Sequence, residues 1–223
     1  MKAKLIIWDF DGVIANTEKL WLKNCRLAIN EKFHLNWNKN KVYQTLLGIS
    51  DKTKKEVLQN LGLVTDDAFW AKINQMNYQS MLTQGFTLTK GLRDILEINT
   101  VKHCIATGGL QAKTAIKIQV VGIQEFFPMD HVFTADMVER GKPEPDLFLL
   151  AAEKMGEKPE NTIVIEDSIA GLQAALKAEC LPVAFTEHAL IKDDSYINQI
   201  KDLGITNIFD NMEDVKTFIL SNI

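Results

Sequence analysis

The stretch Leu5-Ile-Ile-Trp-Asp-Phe-Asp-Gly-Val13 sets four apolar residues directly before two aspartates and a glycine. A short apolar run closed by a turn signal reads as a buried strand. Strands apolar on both faces belong to parallel sheets covered on both sides. Asp9 and Asp11 are two residues apart, and in extended chain such residues point the same way. The spacing therefore predicts two carboxylates facing one spot where the strand ends. Like charges that close are costly unless a proton or a cation lies between them. Gly12 allows a sharp turn just after them, and the carboxyl edge of an open parallel sheet is where ligands bind. Alone, an Asp-x-Asp-Gly run is commonly no more than a strand-ending turn; the rest of the chain has to decide.

Past Gly12 the pattern turns helical. Thr17 reads as an N-cap, and Leu20, Trp21, Cys25, Ala28 and Ile29 recur at helical spacing. Polar residues 36–41 form a loop, and three more helical segments follow at 41–47, 51–61 and 66–82. No strand is expected between residues 15 and 84, which predicts an inserted helical domain over 15–85. The remainder, 1–14 and 86–223, reads as one α/β core. In it strands at 101–106, 131–134, 162–165 and 181–185 alternate with helices at 90–99, 110–121, 145–155, 169–178 and 211–220. That alternation argues for a Rossmann-like, doubly wound parallel sheet with right-handed crossovers.

At 223 residues the chain is long enough for a full core. A net charge of −4 offers no electrostatic footprint for nucleic acid. The apolar runs are too short to span a bilayer, and charge arrives too early at the N-terminus for a signal peptide. Three sparse cysteines, Cys25, Cys104 and Cys180, lack metal spacing and fit reduced core thiols in a cytoplasmic protein.

Polar groups recur at the ends of three apolar strands: Asp9 and Asp11, then Thr107-Gly108-Gly109, then Glu166-Asp167-Ser168. A doubly wound sheet brings such ends to one crevice. Lys142, in the stiff run Gly-Lys-Pro-Glu-Pro, is placed to hold its ammonium over the same crevice. Singly, these are a turn, two helix-entry stretches and a solvated lysine. Together and in this order they resemble the four motifs of the haloacid dehalogenase superfamily, as does the helix start Ile169-Ala-Gly-Leu-Gln-Ala-Ala175. The resemblance covers residues 1–14 and 86–186, and the helical insert resembles the family's small cap in position and length.

What the resemblance implies is phosphotransfer chemistry. Asp9 would be the nucleophile that forms an aspartyl-phosphate. Asp11 would be the acid for the leaving alcohol and then the base for water. Mg²⁺ would be held by Asp9, Asp167, the main-chain carbonyl of Asp11 and, directly or through water, Glu166; hard oxygen ligands suit it. Thr107 with the amides of Gly108 and Gly109 would bind phosphoryl oxygens, and Lys142 would neutralise their charge. A cation is also expected from the residues themselves, since four carboxylates in one crevice repel. One departure stands in the second motif, where the family commonly has Asn or Ser and this chain has Gly108.

Asp11 argues against the dehalogenase branch, which lacks that aspartate. The β-phosphoglucomutase branch carries a cap histidine where this chain has Trp21, and an arginine after its Gly-x-Ser where Gly48-Ile-Ser50 is followed by Asp51. Lys19 and Lys23 read as a solvated helix face rather than as an imine-forming lysine. The expectation is a phosphatase acting on a small phosphorylated metabolite: a sugar, polyol or sugar-acid phosphate. Glu18, Trp21, Ser50, Lys52 and Lys54 are its candidate specificity residues, and a monomer or weak dimer its expected state. A phosphosugar mutase and a non-catalytic phospholigand-binding protein are the alternatives on the same fold.

Overall fold

In the computed structural model, residues 2–47, 51–189 and 194–223 are described. Among them the chain forms two compact units, Met1–Asn16 with Thr87–Ile223, and Thr17–Phe86.

The first unit is built on a six-stranded, all-parallel sheet of order β3-β2-β1-β4-β5-β6. Its strands are β1 (Leu5–Trp8), β2 (Lys102–Thr107), β3 (Val132–Thr134), β4 (Thr162–Glu166), β5 (Leu181–Phe185) and β6 (Ile208–Phe209). β1 lies at the centre, in register with β2 (Trp8 opposite Ile105) and β4 (Trp8 opposite Ile165). All four of its side chains are buried, as expected for a strand covered on both faces. On one face Leu5, Ile7, Cys104, Ala106 and Val164 pack with Phe148 and Ala151 of α7 (Asp146–Lys154) and Ala174 and Ala175 of α8 (Ile169–Lys177). The order reverses beside β1, and the ends of β1, β2 and β4 open on the crevice this creates.

The second unit is helical: α1 (Glu18–Phe33), α2 (Lys39–Leu46), α3 (Asp51–Asn60) and α4 (Asp67–Thr83). α1 and α4 are joined through the buried amide of Asn24, which donates to Asn77 Oδ1 at 2.9 Å and Ser80 Oγ at 3.1 Å. Phe33 meets Phe69 with ring centroids 6.0 Å apart. Asn38 and Asp66 cap α2 and α4, their side chains accepting from Lys41 N and Phe69 N.

The sheet unit continues with α5 (Leu92–Leu96), α6 (Gln111–Val121), α9 (Asp194–Asp202) and α10 (Met212–Leu220). Several sequence expectations are corrected. Thr17 precedes α1 but makes no side-chain capping bond. α2 starts at Lys39, inside the expected polar loop. α5 is five residues rather than ten: Gly91 at φ +83° delays its start to Leu92, and the helix ends at Leu96. α9 and β6 were not expected: α9 buries only Ile200 among its described residues, and two residues of β6 carry no readable alternation. No helix of the described residues is long and apolar enough to cross a membrane.

Candidate active site

β1 ends at Trp8, and the Asp9 amide extends its ladder by one bond to Ile165 O at 3.0 Å. This carries the Asp9 side chain into the crevice, where it is 6% exposed. Lys142 reaches it from the loop before α7. Its ammonium lies 2.5 Å from Asp9 Oδ1, 2.7 Å from Glu166 Oε1 and 3.2 Å from Ala106 O, and 4.9 Å from the centre of the Phe148 ring. The loop is held at its ends: Arg140 forks onto Asp146 at 3.0 and 2.9 Å, and Lys177 reaches Glu144 at 2.7 Å. Glu166 Oε2 accepts from Ser168 N at 2.6 Å, and Ser168 Oγ caps α8 by accepting from Gly171 N at 3.0 Å. One lysine thus ties the ends of β1, β2 and β4 together.

Two glycines make room for the acids. A Cβ on Gly12 would collide with the Asp167 carboxylate, and Gly12 also sits at φ +90°. A Cβ on Gly171 would collide with the Glu166 carboxylate and stand 2.7 Å from its Cγ. The Asp167 carbonyl accepts from the Tyr196 hydroxyl of α9.

Burial pushes the Asp9 carboxyl up to about 7, with Lys142 pulling the other way and Glu166 and Asp11 adding to the rise. Burial alone would lower the Lys142 ammonium, but Asp9 and Glu166 more than reverse it and hold it above the ordinary lysine value. Ligating oxygens of Asp9, Glu166 and Asp167 all lie within 4.8 Å of one another. Within this cluster Lys142 pairs with Asp9 and Glu166, while Lys117 pairs with Asp11 outside it. Three clustered carboxyl groups against one ammonium make an oxygen-rich, acidic site, and such a donor set fits a hard divalent cation.

Asp11 is placed differently from the sequence reading. With β1 ending at Trp8, the extended-chain argument does not hold as far as Asp11, and its carboxylate is not part of the Asp9–Glu166–Asp167 cluster. It is bonded instead to Lys117 of α6, at 2.7 Å from Oδ1 and 2.5 Å from Oδ2. Sequence reasoning missed Lys117. The available signal was a lysine three residues after Thr114 and next to Ile118, on the stripe that α6 buries.

Thr107 ends β2 fully buried, and its hydroxyl accepts from Gly109 N at 3.2 Å. α6 begins two residues past Gly109. Nothing lies within 4 Å of a Cβ placed on Gly108, so the departure there has no steric cause.

The sequence profile of the haloacid dehalogenase-like hydrolases matches residues 6–185. The chain belongs to that family. Curated relatives include a phosphorylated carbohydrates phosphatase of Thermotoga maritima, 23% identical over 89% of this chain and 98% of its own. Hexitol phosphatase A of Escherichia coli is 26% identical over 92% of this chain and 95% of its own. Among solved structures, a conserved haloacid dehalogenase-like protein from Agrobacterium tumefaciens superposes with a TM-score of 0.84 at 21% identity, covering 98% of both chains. The hydrolase thus carries Asp9, Asp11, Thr107, Gly108, Gly109, Glu166 and Asp167 at or just past strand ends, with Lys142 on the loop before α7, all in one sheet unit.

The expected specificity residues of the helical unit are less informative. Glu18 and Trp21 lie in the first turn of α1, where the Trp21 ring meets Phe86 edge-on at 6.2 Å. Lys19 and Lys23 are exposed. Ser50 lies outside the described residues, as do Gly48 and the side chain of Lys52.

Proposed function

We propose that this hydrolase is a Mg²⁺-dependent phosphatase of small phosphomonoesters, its substrate a sugar, polyol or sugar-acid phosphate. The observation that carries the reading is Asp9: a buried carboxylate held by Lys142 at 2.5 Å, beside Glu166 and Asp167. The names of the two curated relatives support the substrate class.

Asp9 attacks phosphorus, the ester P–O bond breaks, and the departing alkoxide takes a proton from Asp11. Asp11, now a carboxylate, takes a proton from the water that attacks the aspartyl-phosphate, and Asp9 and inorganic phosphate are released. Thr107 and the amides of Gly108 and Gly109 bind the phosphoryl oxygens, and Lys142 stays paired with the charge developing beside Asp9. Asp9, Asp167 and the Asp11 carbonyl would hold Mg²⁺, with Glu166 directly or through water. Bound there, the ion supplies Lewis-acid stabilisation of phosphoryl charge. The helical unit is the cap of the family by its place in the chain, and Glu18, Trp21, Ser50 and Lys52 are its candidates for substrate choice.

The test is phosphate release from a panel of sugar, polyol and small-acid phosphates, with and without Mg²⁺, with Asp9→Asn as the blank. Turnover that needs both Mg²⁺ and Asp9 is expected. Turnover that survives in Asp9→Asn would overturn the mechanism, which rests on Asp9 as the group that takes the phosphoryl.

A further inference from the structure

Lys117 belongs to none of the motifs the proposed chemistry uses. It lies on the inward stripe of α6 with Thr114 and Ile118, where an amphipathic helix normally sets an apolar residue. Its side chain is 5% exposed. Lysine usually keeps its ammonium in water, and a buried ammonium is costly unless paired. Here the partner is Asp11, bonded through both oxygens at 2.7 and 2.5 Å. The ammonium also lies 5.2 Å from the centre of the Phe10 ring, between the two aspartates in the chain.

The Asp11 side chain is 32% exposed and stands past the end of β1, where the sheet ladder no longer fixes it. Two bonds to a lysine anchored on a helix hold the Asp11 carboxylate toward α6. The same ammonium borders the glycine loop: a Cβ on Gly109 would stand 3.7 Å from both Lys117 Nζ and Thr107 Oγ1. Lys117 therefore spans from the Asp11 carboxylate to the turn that carries Thr107.

We propose that Lys117 is a positioning residue that holds the Asp11 carboxylate against the Thr107–Gly109 turn, and so fits the enzyme to esters with poor leaving groups. The inference rests on the phosphatase reading. Sugar and polyol alkoxides need a proton as the ester bond breaks, whereas p-nitrophenolate leaves without one. A correctly placed Asp11 is thus required in the first half-reaction only for alkyl esters, and in the second half-reaction for both.

The experiment compares Lys117→Met with the wild type on p-nitrophenyl phosphate and on the best alkyl phosphate of the panel. A lost general acid costs about 100-fold or more. The variant should lose about that factor in kcat/KM for the alkyl ester. It should keep its first-turnover release of p-nitrophenolate and then stall, which shows as a burst. KM for the alkyl ester should change little, KM for p-nitrophenyl phosphate should fall with the slowed second step, and Lys117→Gln, which keeps an uncharged N–H donor group, should fall between. A residue with a merely structural role would depress both first turnovers alike. An alkyl-to-aryl ratio of kcat/KM within twofold of wild type in Lys117→Met, or in Lys117→Gln should the methionine variant not fold, would overturn the proposal. If the wild type itself releases no phosphate from any ester, the phosphatase reading fails. The positioning inference is then decided by crystal structures of the wild type and Lys117→Met: an Asp11 carboxylate that moves supports it, and one that keeps its place overturns it.

Discussion

Gly171→Ala opposes two physical effects of different sign in the first turn of α8. Helix propensity alone predicts that alanine is stabilising there by up to about 1 kcal/mol. The site predicts the reverse. The new methyl would overlap the Glu166 carboxylate and stand 2.7 Å from its Cγ, in a place where Glu166 is 1% exposed. Glu166 cannot yield without loosening its bonds to Lys142 at 2.7 Å and Ser168 N at 2.6 Å. Each bond to a charged group contributes about 1.5–3 kcal/mol, so losing both costs at least about 3 kcal/mol. If that cost falls on the metal site, the dissociation constant of the proposed Mg²⁺ rises about 100-fold. If it falls on the fold, it leaves about 2 kcal/mol after the propensity gain, and the melting temperature drops by about 4–8 °C for a chain of this size. Calorimetric Mg²⁺ titration and a thermal melt read both. A variant with wild-type Mg²⁺ affinity and an unchanged or raised melting temperature would refute the steric argument.

Trp8 Nε1–H donates to His103 Nδ1 at 3.2 Å, so the ring's remaining proton sits on Nε2, 3.1 Å from Ile98 O. Burial lowers this imidazole from 6.5 to about 4; the unfolded chain therefore takes up a proton in that window that the folded chain does not, and stability is full above pH 6.5 and falls by about 3 kcal/mol on the way to pH 4. Urea unfolding at a series of pH values checks it: the wild type should lose more stability across that window than His103→Gln, and matching slopes would contradict the assignment. Burial raises the Cys180 thiol to about 12 and the Cys104 thiol higher still, and Cys25 is buried too; a thiol reagent at pH 8 should find no reactive cysteine in the native protein and three in denaturant. Gly108→Ser should fold normally, since nothing lies within 4 Å of the new Cβ, and should lower KM by supplying a hydroxyl donor; a melting temperature several degrees below wild type would show the turn has no such room.

The core motifs were legible because each joins a readable strand to residue types with narrow roles. Asp9, Glu166 and Asp167 follow runs whose apolar length marks them as buried strands, and a parallel sheet leaves such ends little choice but one crevice. Asp11 was misplaced because the argument extended the strand past Trp8, and the length of a strand is set by its neighbours' ladder bonds rather than by its own residues. α9 and β6 were missed because a helix that buries one described residue and a strand of two residues leave too little pattern. The helical unit was readable as helices and not as a binding surface, since Trp21 at helical spacing reads the same whether it packs on Phe86 or meets a ligand.

By itself the sequence determined the parallel sheet, the helical insert and the family's four motifs, all of which depend on local order along the chain. Only the tertiary structure decided how the charges pair. Lys142 bridges Asp9 and Glu166 across 133 and 24 residues, and Lys117 closes on Asp11 across 106. Gly12 and Gly171 prove to be the room in which Asp167 and Glu166 sit. Such pairings are fixed by packing in three dimensions, where burial makes an unpartnered charge too costly to keep.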